Sequence, residues 1–217
     1  MNNHDQLSFS NLRNIYCVGR NYRLHAAELG NEVPASPMIF TKPTHAATDM
    51  SEGIIAIPGS QGSIHYEAEL VFAVGKPYEP GISCDEIITS FTVGLDFTLR
   101  DVQDQLKAKG QPWLAAKGFR NSATLGRWLN YPGLKAMAEN DFGLRLNGKE
   151  VQRGNVRDMV FNLQQIVDFV GRNYGLGTGD ILFTGTPEGV GELNDGDKLD
   201  VWWNETSLGV AMTKFEG

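Results

Sequence analysis

The sequence predicts an α+β domain that is rich in β-strand and carries only a few short helices. Three observations lead there. Apolar runs are short and numerous, and turn formers separate them, with 25 glycines and 9 prolines in 217 residues. An Asn147-Gly148 dipeptide between two strand-like segments signals a tight hairpin with a type I′ turn. Helical periodicity is confined to a few stretches, clearest where Leu163, Ile166, Val167 and Val170 fall on one face.

The elements follow in order. Residues 14–19 (Asn-Ile-Tyr-Cys-Val-Gly) read as a strand closed by glycine. Residues 20–29 favour about two helical turns through their alanines and leucines, with Gly30 as the stop. Met38-Ile39-Phe40 is a short strand ending at Lys42-Pro43, and residues 54–58 form another. Residues 65–74 read as one strand that becomes fully apolar. A Pro/Gly loop at 76–83 leads to a short helix at 85–88 and a strand that reaches Phe97. Thr98 and Asp101 fit a capping pattern for a helix over 99–109 that stops at Gly110. Asn162 caps the periodic helix, which is expected to fray at Gly171. Strands at 180–183, 198–203 and 208–215 complete the chain. Residues 1–13 are taken as an extension and 14–217 as a single domain, since no linker or repeat interrupts them.

Composition excludes several function classes. A net charge of −7 disfavours nucleic acid and anionic membrane surfaces as partners. Local basic groups still allow a small anionic substrate. Cys17 and Cys84 stand alone without a C-x-x-C spacing, and so read as reduced core thiols. Residues 1–10 are polar, and no apolar run approaches a membrane span. The expected location is the cytoplasm, where the Asn204-Glu205-Thr206 sequon is only a turn.

The chemistry centres on residues 65–74. Side chains two apart on a strand share a face, so Glu67 and Glu69 aim two negative charges at one volume, with His65 on the same side. Alone, this pattern is an ordinary solvated edge. If the face is buried, the charges need a cation, and Asp96 at the end of an apolar strand is the best third ligand. Three carboxylates select Mg²⁺ or Mn²⁺, with Ca²⁺ as the alternative, over zinc, and leave open coordination positions. His25 and Glu28 lie three apart on one helical face and form a candidate base dyad. Lys117 could neutralise a developing oxyanion, and Arg100 with Gln103 could hold a carboxylate. Taken singly, each of these is more often a surface pair or a solvated side chain. Gly175-x-Gly177-x-Gly179 precedes a strand, so it fits neither a dinucleotide fingerprint nor a P-loop.

As an ordered set the segments are far more specific. They comprise Gly19-Arg20-Asn21-Tyr22-x-x-His25-x-x-Glu28, Phe40-Thr41-Lys42-Pro43, His65-Tyr66-Glu67-Ala68-Glu69-Leu70 and residues 95–103. Gly110-Gln111-Pro112-Trp113-x-x-Ala116-Lys117 and Thr184-Gly185-Thr186-Pro187-x-Gly189-Val190-Gly191 follow. The chain thereby resembles the fumarylacetoacetate hydrolase family, C-terminal catalytic domain type, in its small acylpyruvate hydrolase and oxaloacetate decarboxylase-like form. The resemblance implies a mixed β-roll, a homodimer, and Mg²⁺ or Mn²⁺ on Glu67, Glu69 and Asp96. It implies catalytic roles for His25, Glu28 and Lys117 and substrate contacts from Arg20, Arg100, Gln103 and Thr186. The implied reaction is hydrolysis or decarboxylation of short 2,4-diketo or β-keto acids. Isomerase or decarboxylase chemistry of aromatic catabolism, on 5-carboxymethyl-2-hydroxymuconate or its product, is the alternative, and a non-catalytic metal-binding protein is a third. Tyr66 departs mildly from the pattern, since close relatives often carry a second histidine there.

Overall fold

The structure is a computed structural model that describes residues 9–28 and 34–217. The expected helix stop at Gly30 and residues 1–8 of the expected extension lie outside the described residues. Three sheets dominate, matching the β-rich expectation.

The largest sheet is built from β1 (Ile15–Gly19), β2 (Met38–Lys42), β3 (Ala47–Asp49), β6 (Ala68–Val74), β7 (Ile88–Asp96), β9 (Ala123–Leu125), β10 (Leu129–Asn130) and β13 (Ile181–Phe183). Its order is β2-β1-β13-β6-β7-β9-β3, with β10 also on β7. A second sheet runs β12 (Lys149–Gly154), β11 (Phe142–Leu146), β15 (Lys198–Trp203), β16 (Thr206–Glu216) and β4 (Ile54–Pro58). The third is small: β14 (Gly191–Glu192), β5 (Ile64–Tyr66) and β8 (Thr98–Leu99). Among the described residues six short helices fill the connections: α1 (Arg23–Glu28), α2 (Cys84–Ile87), α3 (Arg100–Ala108), α4 (Leu114–Lys117), α5 (Leu134–Ala138) and α6 (Leu163–Asn173).

The spine is the antiparallel pair β6–β7, which runs from Ala68 opposite Leu95 to Val74 opposite Ile88. Every residue of β6 is buried, so both faces are covered and the strand reads as an unbroken apolar run. Phe72 lies opposite Phe91 and meets the Tyr131 ring edge-on at 5.8 Å. The Asn147-Gly148 turn behaves as expected: both residues have positive φ, and Leu146 pairs with Lys149 across a two-residue loop. Asn162 caps α6 in a full capping box with Gln165.

Three expectations need correction. Residues 65–74 are not one strand, because β5 belongs to the small sheet and β6 to the large one. Glu67 is the single residue where the chain crosses between them. Beside it, β7 hands over to β8 at Phe97, and the two crossings are stitched by Asp96 N–H donating to Glu67 O at 2.8 Å. Thr98 does not cap α3. It lies in β8, and Asp101 instead accepts from Ser63 N–H. Finally, α6 runs past Gly171 to Asn173, because Gly171 packs against the Tyr78 ring and a Cβ there would sit 2.3 Å from it.

Phe72 tests the spine directly. Phe72→Ala should lower unfolding free energy by about 3–5 kcal/mol through lost burial and a residual cavity, measured by urea denaturation. An unchanged midpoint would mean that β6 and β7 do not carry the core.

Candidate metal centre and active site

The seam between the sheets gathers charge that the sequence only hinted at. Glu67 sits at the crossing of β5 and β6, Glu69 two residues on, and Asp96 at the last position of β7. All three are buried, and each offers an oxygen within 4.8 Å of the others. The i, i+2 logic for Glu67 and Glu69 therefore holds despite the break between the strands. His65 is half-buried beside Glu67, and among the described residues its ring makes no hydrogen bond.

Three cations answer the carboxylates. Lys117 closes α4 and donates to Glu67 Oε2 at 2.7 Å, Asp96 Oδ2 at 2.8 Å and the Thr98 hydroxyl at 2.6 Å. Arg100, the first residue of α3, donates to Glu67 Oε1 at 2.6 Å and to Gln103 Oε1 at 2.7 Å. Lys42, at the end of β2, pairs with the other Asp96 oxygen at 2.7 Å and donates to the backbone carbonyl of Lys117. Removing one member of such a buried set costs about 3–5 kcal/mol, because its partners are left uncompensated. Burial alone would raise Glu67, but Lys117, Arg100 and His25 outweigh it and hold the carboxyl well below the usual range. Burial would likewise depress Lys117, yet Asp96 and Glu67 lift its ammonium above the ordinary lysine value.

Glu69 is different. Among the described residues it has no ion-pair partner, and its anchor is the Gly185 N–H at 2.8 Å. Burial first, then Asp96 and Glu67, push its carboxyl well above the usual range. This unbalanced carboxylate is the structural test of the metal expectation, and the donor set passes it. Three buried hard oxygen donors, one of them without an ion pair of its own, suit a divalent cation such as Mg²⁺ or Mn²⁺.

The loop after β13 supports the same corner. Gly185 has φ +96°, and a Cβ there would meet Asn21 Cβ at 2.7 Å, so only glycine brings this N–H to Glu69. Asn21 clamps the loop through Thr184 O and also binds Phe161 from both ends of its amide. The Thr186 hydroxyl donates to Ala68 O and accepts from Gln152, whose own carbonyl accepts Ala68 N–H.

One cavity collects most of the expected site residues. Arg20, His25, Glu67, Glu69, Asp96, Arg100, Gln103, Lys117 and Thr186 all line it. Glu28 reaches it through His25, with 3.3 Å between Nδ1 and Oε2, and its other oxygen accepts Gly189 N–H at 3.2 Å. Sequence reasoning missed Lys42, Gln152 and Lys107 as parts of this region. Lys42 did carry a signal, a lysine closing an apolar strand. Gln152 carried none, because one polar residue on a hairpin strand looks like any other.

A comparison with protein families matches residues 14–215 to the fumarylacetoacetate (FAA) hydrolase C-terminal family. The chain belongs to this family. Its fumarylacetoacetate hydrolase relatives include the Escherichia coli protein named oxaloacetate tautomerase YcgM, 36% identical over 197 residues, covering 89% of this chain and 90% of that one. The Dictyostelium discoideum mitochondrial protein named oxaloacetate decarboxylase is 34% identical, covering 86% and 87%. Among solved structures, fumarylpyruvate hydrolase from Pseudomonas aeruginosa, in complex with Mn²⁺ and pyruvate, superposes with a TM-score of 0.82. It is 31% identical, over 100% of this chain and 94% of that one. No helix among the described residues is long and apolar enough to cross a membrane.

The donor set makes a thermal prediction. Mg²⁺ or Mn²⁺ should raise the melting temperature of the wild type by preferential binding to the folded state, and Glu69→Gln should remove that shift. A variant that still shows the full shift would place the cation elsewhere.

Proposed function

We propose that this chain is a divalent-metal-dependent enzyme that forms the enol of short β-keto acids, with oxaloacetate as its leading substrate. The observation that carries the proposal is the charge balance at the seam. Three carboxylates face Lys42, Lys117 and Arg100, so a divalent cation leaves a surplus of positive charge that suits a keto dicarboxylic dianion. The names of the tautomerase and decarboxylase relatives support the same substrate class.

A divalent cation held by Glu67, Glu69 and Asp96 would supply Lewis-acid withdrawal of electrons from a 2-keto oxygen and the adjoining carboxylate. The side chains do the rest. Gln103 and Arg100 lie on one face of α3 and would orient the substrate's polar end. His25, steered by Glu28, would take the proton from C3 and return it, moving hydrogen between C3 and the keto oxygen. The Gly189 contact to Glu28 fixes the second oxygen of the dyad, so that the imidazole is held from one side only. Lys117 would offer its ammonium to negative charge building on oxygen. Loss of CO₂ from C4 uses the same electron shift, breaks the C3–C4 bond and needs no added water.

Hydrolysis of acylpyruvates is the second reading. It is favoured by the His25–Glu28 pair, whose geometry serves equally to activate water for attack at C4, and by the likeness to fumarylpyruvate hydrolase. The 5-carboxymethyl-2-hydroxymuconate isomerase reading shares the enol step and is supported by a Mycobacterium smegmatis structure of that name, with a TM-score of 0.80 and 28% identity. A non-catalytic metal-binding protein has no use for a His–Glu dyad whose buried imidazole lines the cavity of the carboxylates. We also infer a single catalytic domain over 14–217, a homodimer and a cytoplasmic location, supported by the resemblance.

Purified protein with Mg²⁺ should accelerate the decay of the oxaloacetate enol absorbance, and EDTA should abolish the effect. His25→Ala should keep the metal-dependent melting shift and slow acylpyruvate hydrolysis by about 10²–10⁴-fold, with far less effect on decarboxylation. Equal loss of both reactions would contradict a water-activating role for His25. If oxaloacetate, acetylpyruvate and fumarylpyruvate all remain unchanged, the proposal fails.

A further inference from the structure

We propose that Lys107, with Arg20 beside it, forms a subsite for the distal carboxylate of a dicarboxylic keto acid and so sets the enzyme's preference for dianions. The inference rests on the β-keto acid reading above and extends it to a residue with no role in that chemistry.

Helical geometry supplies the first argument. Arg100, Gln103 and Lys107 fall at i, i+3 and i+7 of α3, one stripe of the helix. All three line the cavity, whereas Asp104, at the edge of the same face, is exposed and does not. The stripe thus runs from Arg100, which is committed to Glu67, outward to Lys107.

The charge environment supplies the second. Among the described residues the only ion-pair partner of Lys107 is Asp104, at 3.7 Å, and the Asp104 side chain is 64% exposed. A solvated pair at that distance contributes little. Arg20 has no ion pair among the described residues, and its backbone sits at φ +57°, a conformation uncommon outside glycine. Strain of that kind is retained where the surroundings require a particular placement. Burial first, and then the neighbouring Arg100, hold the Lys107 ammonium below the ordinary lysine value, with Arg20 acting in the same direction. Cations crowded along one cavity wall repel each other, and an arriving anion relieves that repulsion.

The walls supply the third. The Lys107 ammonium lies 5.7 Å from the centre of the Trp113 ring, and Trp113 packs on Phe40 at 5.8 Å. Both rings line the same cavity. The route from the carboxylate cluster to Lys107 is therefore apolar along its side. It suits a short carbon chain with an anionic group at each end, and a neutral acyl tail gains nothing from the ammonium.

The test compares two unreactive 2-hydroxy acids that differ by the distal carboxylate, L-malate and L-lactate. Their affinities for the Mg²⁺-loaded protein are measured by calorimetry. Wild type should bind L-malate at least about tenfold more tightly than L-lactate, the scale of one charge-assisted contact. Lys107→Met should collapse that ratio to near unity, and Lys107→Arg should keep most of it. A ratio that is absent in wild type, or unchanged in Lys107→Met, overturns the proposal. Binding is read without turnover. A collapsing ratio in a protein that leaves oxaloacetate unchanged would therefore sustain the subsite and refute the proposed reaction instead.

Discussion

Like charges buried together are the constraint on which the rest of the structure depends. Glu67, Glu69 and Asp96 lie within reach of one another where burial has removed most of the screening. The fold reaches this arrangement by letting two neighbouring strand pairs change sheets side by side, at Glu67 and at Phe97. A regular ladder could not bring the end of β7 and a β5–β6 crossing to one point with their side chains converging. The irregularity in the strands is what creates the site.

The surrounding groups then divide the work. Lys42 and Lys117 each hold one oxygen of Asp96, and Arg100 with Lys117 holds both oxygens of Glu67. Glu69 is left with a backbone N–H alone. The salt-bridge network is therefore left open at Glu69, although cations and carboxylates are equal in number. It connects packing to function, because a network satisfied by side chains alone has no need of a cation. The loop after β13 adds rigidity through Asn21, Gly185 and Gln152, and the Glu28 contact to Gly189 ties α1 to that loop. The metal corner and the dyad therefore share one support.

Much of this was legible in the sequence, for reasons that differ by residue. The Asn147-Gly148 turn and the Asn162 cap were readable because local backbone chemistry decides them. Glu67 and Glu69 were readable as a pair because a period of two survives a change of sheet. What failed was the continuity of residues 65–74, since a sheet crossing leaves no mark on an alternating pattern. The Thr98 cap failed for a similar reason, as tertiary pairing with β5 and the Lys117 contact claimed the residue first. The roles of Lys42 and Gln152 were not readable because they depend on partners far along the chain, Asp96 at 54 positions from Lys42 and Thr186 at 34 from Gln152. Asp96, His25 and Lys117 were candidates from their placement in the chain, and the ordered family pattern made them specific.

The central claim is that this site makes an enol from a pyruvate-like unit with the help of a divalent cation. Proton NMR of pyruvate in D₂O tests it most directly, because exchange of the methyl hydrogens reports the enol whatever the natural reaction is. The account predicts that Mg²⁺-loaded protein washes out the methyl signal and that EDTA-treated protein does not. Pyruvate that binds the Mg²⁺-loaded protein yet keeps its methyl hydrogens would contradict it.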